Sequence, residues 1–171
     1  MKKFLSVFSF AVMALVAAVS FTSCTNDDKN DPILDENYLC FKYWVSNDVL
    51  DIADINVTGM NISFIGEQTF TDPNNVKHVG KESQLVEFIG SKATNANFSI
   101  SFTLKPNWQE ILSKKETFDC YHSYGLGKKK GSGAVVGTNL IGGSLKRGSD
   151  RYDFDESVPK HISNLKYTYS K

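Results

Sequence analysis

The sequence predicts an all-β fold, with two sheets packed face to face as a sandwich. Short runs rich in aromatic and β-branched residues alternate at period two, as half-buried strands do. Clusters of Asn, Asp, Gly, Ser and Pro separate these runs at intervals of about 8–20 residues, the spacing of sandwiches and barrels. No regular alternation of strand and helix is visible, which argues against a parallel α/β sheet.

The elements follow in order. Tyr38 to Val45 places Leu39, Phe41, Tyr43 and Val45 on one face, and Ser46-Asn47-Asp48 breaks the run. Asp51 to Thr58 carries Ile52, Ile55 and Val57 and stops at Gly59; Asn61 to Phe64 continues the β character. Phe70 to Asn75 holds a strong turn cluster. Gln84 to Ile89 is a short apolar strand ending at Gly90. Asn97 to Leu104 alternates most cleanly, with Phe98, Ile100, Phe102 and Leu104 on one side and Ser99, Ser101 and Thr103 on the other. Phe118 to Tyr124, Ala134 to Ile141 and Ile162 to Tyr169 complete the strands. One segment reads as a helix: Trp108, Ile111 and Leu112 share a helical face after Pro106, with Asn107 and Glu110 placed as a capping box. This pattern predicts an immunoglobulin-like two-sheet sandwich with one short connecting helix. The antibody fingerprint is missing, since Trp44 follows Cys40 by only four residues and Phe118 stands where a tyrosine would precede Cys120. A lipocalin-like up-and-down barrel, with an internal ligand cavity, is the alternative.

Composition narrows the class. The chain has 171 residues, 41% hydrophobic and 22% charged, with 19 basic residues against 19 acidic ones. Such a chain is an ordinary globular domain. Zero net charge removes the broad attraction a nucleic-acid binder needs, so none is expected as a partner.

The N-terminus carries the most specific motif. Lys2 and Lys3 precede an apolar stretch from Phe4 to Val19, which ends at Phe21-Thr22-Ser23-Cys24. A charged start, an apolar middle and small residues before a break describe an export signal. The placement of Cys24 resembles bacterial lipoprotein signals of the second type, with Phe21 and Ser23 as departures from the usual pattern; serine before the cysteine is familiar in lipoproteins of the Bacteroidota. The resemblance implies diacylation of Cys24. Thr25 to Pro32 is polar and acidic, a composition that buries too little apolar surface to fold alone. Asp27 and Asp28 resemble the acidic surface-export cluster of Bacteroidota lipoproteins. The expected organisation is a signal peptide at 1–23, an acidic tether at 24–36 and one β-sandwich domain at 37–171. Val45 to Thr58 also resembles, diffusely, the start of small Bacteroidota lipoproteins of unknown function; it carries no catalytic residue. The implied location is the outer membrane, with the domain at the cell surface or, alternatively, facing the periplasm.

Chemistry-bearing residues are sparse. With Cys24 taken by lipid, Cys40 and Cys120 form the one candidate disulfide, in a compartment that permits it; two buried thiols are the alternative. Cys120-Tyr121-His122 lacks the convergent geometry of a thiol nucleophile and its base. Neither Cys-x-x-Cys nor His-x-x-x-His occurs, so no metal or other cofactor is expected. Asp48, Asp51 and Asp54, and Asp150, Asp153, Asp155 and Glu156, are acidic groups without the calcium-loop pattern, and read as turn residues. Gly125 to Gly133 resembles a phosphate loop only in composition and reads as a hairpin tip. Its Lys128, Lys129 and Lys130, with Lys146 and Arg147, are candidate contacts to an anionic glycan or lipid headgroup. Among the aromatics that can stack on sugars, Trp44, Trp108, Tyr121, Tyr124 and Tyr152, the loop-proximal Tyr124 and Tyr152 are the better ligand contacts.

The expected function is a non-enzymatic binding or interaction module, anchored in the membrane by lipid, that meets a glycan or another envelope protein. The alternatives are a small envelope hydrolase acting on polysaccharide and a structural subunit of a surface assembly.

Overall fold

A computed structural model describes residues 35–128, 140–149 and 153–171. In chain order the elements are β1 (Tyr38–Ser46), α1 (Asn47–Ile52), β2 (Ala53–Thr58), β3 (Phe64–Thr71), β4 (Lys77–Ser83), β5 (Val86–Ile89), α2 (Ser91–Thr94), β6 (Asn97–Leu104), α3 (Trp108–Ser113), β7 (Thr117–Gly127), β8 (Ile141–Lys146), α4 (Phe154–Asn164) and β9 (Tyr167–Ser170).

They form two antiparallel sheets. The larger runs β3-β4-β1-β7-β8, and the smaller runs β2-β6-β9. β5 pairs with the N-terminal half of β1 on the edge where β4 pairs with its C-terminal end. In the gap between these two partners, the Tyr43 backbone N–H donates to the Ser83 hydroxyl at 3.0 Å, so a side chain replaces the missing ladder bond.

The sheets meet through aromatic rings. Phe41 of β1 and Phe88 of β5 pack on Phe98 of β6, with ring centroids 5.0 and 5.2 Å apart. Tyr124 of β7 lies 3.9 Å from Tyr167 of β9. Large rings at this separation fill the space between two packed sheets. α4 closes one side of the sandwich against β6, β7 and β8, burying Phe154, Val158 and Ile162. No strand pair joins the two sheets among the described residues, so the sandwich holds and the closed barrel does not.

β1 is buried on both faces. Its Leu39, Phe41, Tyr43 and Val45 face the core, and Trp44 lies on the opposite side. There the β3–β4 hairpin folds over it: Trp44 Nε1 donates to the Gln68 carbonyl at 3.1 Å, and Phe70 packs on the indole at 5.0 Å. Gly80 is required at this crossing, because a Cβ there would collide with the Trp44 ring and the Val45 carbonyl.

The helical content differs from expectation. Four short helices occur among the described residues, where the sequence predicts one. α1 takes Asn47 to Ile52, with Val49 and Ile52 on its buried face, so the strand expected from Asp51 begins at Ala53. α4 absorbs Ile162 and leaves β9 only Tyr167 to Ser170. Its apolar residues Phe154, Val158 and Ile162, with Leu165 at its C-cap, follow helical spacing. The Asp153 side chain caps the first turn, accepting from the N–H groups of Asp155 and Glu156. The anticipated cap of α3 is not made: Asn107 has no side-chain cap bond, and Glu110 pairs instead with Lys114 at 2.8 Å. β4 is an additional strand that its polar sequence does not announce. The strand expected over 134–141 falls on residues outside the described ones up to 139; the ladder is formed by β8.

Candidate functional site

Among the described residues, a connected polar cluster lies where α1, the turn between β3 and β4, and the start of β7 converge. Asp119 of β7 is its centre. Its Oδ2 accepts from Nδ1 of the buried His78 at 3.0 Å, and its Oδ1 accepts from the Ser144 hydroxyl. Its backbone N–H donates to Asp48 Oδ2 at 2.7 Å, and its carbonyl accepts from the Ser46 hydroxyl. Asp48 and Asp51 share Lys115, whose Nζ lies 2.7 and 2.9 Å from their carboxylates. The second ring nitrogen of His78 faces Asp72 Oδ2 at 3.4 Å. Asp72 in turn accepts the N–H groups of Asn74 and Val76, which closes the hairpin turn. These donors hold the Asp72 carboxyl below the usual range, the Val76 N–H contributing most.

Serine, aspartate and histidine are therefore adjacent, but in an order that does not activate the serine. A nucleophilic serine needs the imidazole on its own hydroxyl, with the carboxylate behind the imidazole. Here the carboxylate sits between the two, so the Ser144 proton is already committed to Asp119. The cluster ties four separate segments together: β1 with α1, the hairpin turn, β7 and β8.

Cys120 and His122 of β7 are core groups. Burial pushes the Cys120 thiol up to about 12 and His122 down to about 4. Their chemistry at neutral pH is that of a protonated thiol and a neutral imidazole; His122 Nδ1 lies 2.8 Å from the buried Tyr43 hydroxyl. Cys40 and Cys120 are both free and buried. Cys40 stands opposite Gly127, seven positions along β7 from Cys120, which is about 23 Å at strand rise. The two also point to opposite faces of the sheet, since only Cys120 joins the inter-sheet core. The candidate disulfide is thus excluded by register and by face.

Of the candidate ligand contacts, Tyr124 is packed between the sheets against Tyr167 and His122, not presented at a loop. Lys128 is exposed, immediately after β7. Gly125 and Gly127, read as part of a hairpin tip, are strand residues paired with Lys42 and Cys40. Arg147 is already engaged: its guanidinium pairs with both Asp155 oxygens at 3.0 Å, bonds the Leu112 carbonyl at the end of α3, and lies over the Phe154 ring. Trp44 and Trp108 pack against protein, and Tyr121 lies 4.3 Å from the His78 ring. Cys24, Lys129, Lys130 and Tyr152 lie outside the described residues. Among the described residues the two acidic groups divide between caps and ion pairs: Asp54 is on β2, away from Asp48 and Asp51 on α1, Asp153 caps α4, and Asp155 and Glu156 pair with Arg147 and Lys160; Asp150 lies outside the described residues.

One surface escapes residue-by-residue reading. The outer face of the smaller sheet presents Asn56 and Thr58 from β2, Asn97, Ser99, Ser101 and Thr103 from β6, and Thr168 and Ser170 from β9. Thr58, Ser99 and Thr168 form one hydroxyl row across all three strands. Thr58 and Ser99 are hydrogen-bonded at 2.7 Å, as are Asn56 Nδ2 and Thr103 Oγ1. Asp54 is the one charge among these β2 and β6 positions. The sequence signal is the Ser99-Ser101-Thr103 alternation, but the face appears only when register brings β2 and β9 alongside.

Compared with protein-family models, characterised proteins and solved structures, the chain matches none.

Proposed function

We propose that this is a lipid-anchored cell-envelope protein, held in the outer membrane through Cys24, whose sandwich is a non-enzymatic binding or interaction module. The observation that carries the reading is the run from Lys2 to Cys24, a charged start and apolar middle ending at a cysteine that an acidic segment follows. The hydroxyl and amide face of the smaller sheet supports the binding role. It offers many donors and acceptors with Asp54 as the one charge on β2 and β6, which suits a neutral, hydroxyl-rich partner such as a glycan. The Ser144–Asp119–His78 order favours binding over hydrolysis for the same reason that it leaves the serine unactivated.

A second reading, a subunit joined by strand addition, is favoured by β3. Among the described residues this strand is an unpaired edge of the larger sheet, Ile65 on it is 66% exposed, and Glu67 is its single charge. Such an edge is a template for another chain's strand.

Membrane fractionation of cells expressing the wild type and Cys24→Ala tests the anchor. The wild type is expected in the membrane pellet, and the variant in the soluble fraction or as an unprocessed precursor. Identical pelleting of a fully processed variant would overturn the lipid role of Cys24.

A further inference from the structure

The point where the chain leads back toward Cys24 is fixed by backbone bonds. The Asp35 N–H donates to the Lys128 carbonyl at 3.3 Å, and the Gly90 N–H to the Asn37 carbonyl at 2.7 Å. Lys171 joins the same end: its N–H donates to the Ala96 carbonyl and its Nζ to the Glu36 carbonyl. Lys92 lies on α2, just after Gly90. Lys92, Lys128 and Lys171 are all exposed here, opposed by Asp35 and Glu36. Ile89 sits among them, paired with Tyr38 and 61% exposed. Residues 25–34 between Cys24 and this end span at most about 35 Å when fully extended.

We propose that this end of the sandwich is a membrane-contact surface, which rests on an anionic lipid surface through Lys92, Lys128 and Lys171 with Ile89 entering the headgroup layer. The proposal builds on the lipid anchor at Cys24, because the short connection holds these residues near the bilayer. Lysines at an anionic surface attract it through the surface potential, within a Debye length, and an apolar side chain at that depth adds burial. The orientation that follows points the α1, α3 and β3–β4 turn end away from the membrane, and leaves the hydroxyl face of the smaller sheet accessible from the side.

The test uses the full chain in two forms, acylated wild type on vesicles and unacylated Cys24→Ala mixed with them. The vesicles are phosphatidylcholine alone or phosphatidylcholine with phosphatidylglycerol. For the acylated protein, amide hydrogen exchange at Ile89–Ala96 and around Lys128 and Lys171 is expected to slow on anionic vesicles relative to neutral ones. High salt and the K92Q/K128Q/K171Q variant should each remove that difference while the protein stays vesicle-bound. Unacylated Cys24→Ala should co-sediment weakly with anionic vesicles, losing about fivefold in partitioning per lysine replaced. Equal exchange on the two vesicle types, or no salt-sensitive sedimentation of Cys24→Ala, overturns the proposal. Absence of acyl groups on protein from cells counts against the anchor alone, since the Cys24→Ala arm decides the surface without it.

Discussion

At the scale of single residues, two groups of β7 set the stability of the larger sheet in different ways. Asp119 joins segments that are far apart in sequence, taking His78 Nδ1 and the Ser144 hydroxyl on its two carboxylate oxygens. Asp119→Ala is expected to destabilise the protein by about 2–3 kcal/mol, because the buried His78 loses its acceptor; chemical denaturation measures this directly. His122 works through burial. Its native value of about 4 lies below the ordinary 6.5, so the unfolded state binds its proton more readily. The stabilisation is complete above pH 6.5 and is lost as pH falls from about 6.5 to 4. The slope approaches 1.4 kcal/mol per pH unit within that window. Replacing His122 by Gln should flatten the dependence there, as read from unfolding midpoints across pH. An unchanged slope would assign the acid sensitivity to other groups.

At the scale of elements, legibility tracks how local the determining contacts are. β1 and β6 are readable because alternation alone specifies a strand with a buried face: Asn97 to Leu104 is predicted and found with the same bounds. β4 is not, since Lys77-His78-Val79-Gly80-Lys81-Glu82-Ser83 has little apolar pattern and owes its conformation to pairing with β3 and β1. The last segment offers two periods at once. Leu165, Tyr167 and Tyr169 alternate as a strand, while Phe154, Val158 and Ile162 repeat every four residues as a helix. Asp153 and Glu156, three apart, are the start signal that decides it. Asp153→Ala should cost about 1 kcal/mol and loosen α4 first, visible as faster amide exchange in its opening turn than elsewhere. Uniform loss of protection across the domain would show that the cap acts on the fold as a whole. The polar cluster at Asp119 is beyond sequence reading for a related reason: His78 and Asp119 are 41 residues apart, and no local motif announces a pair made between β4 and β7, the two strands that flank β1.

At the scale of the molecule, the sandwich separates its surfaces by chemistry. The inner faces are aromatic and join the two sheets. Three of the exposed lysines, Lys92, Lys128 and Lys171, share the end where the described residues begin at Asp35. The outer face of the smaller sheet is hydroxyl and amide, and the edge at β3 is open. The disulfide that composition allowed is replaced by two thiols on opposite faces, so cohesion rests on packing and on the Asp119 cluster. This division of surfaces is consistent with the proposed anchored binding module, in which one end meets the bilayer and a broad polar face stays accessible. The central claim is the anchor. Mass spectrometry of the N-terminal peptide, from protein purified out of its own membranes, tests it most directly. The account predicts a chain that begins at Cys24, heavier by the mass of its acyl groups, with the sandwich released by protease added to intact cells if it faces outward. An unmodified peptide containing residues before Cys24, from a protein fully soluble after cell lysis, would contradict it.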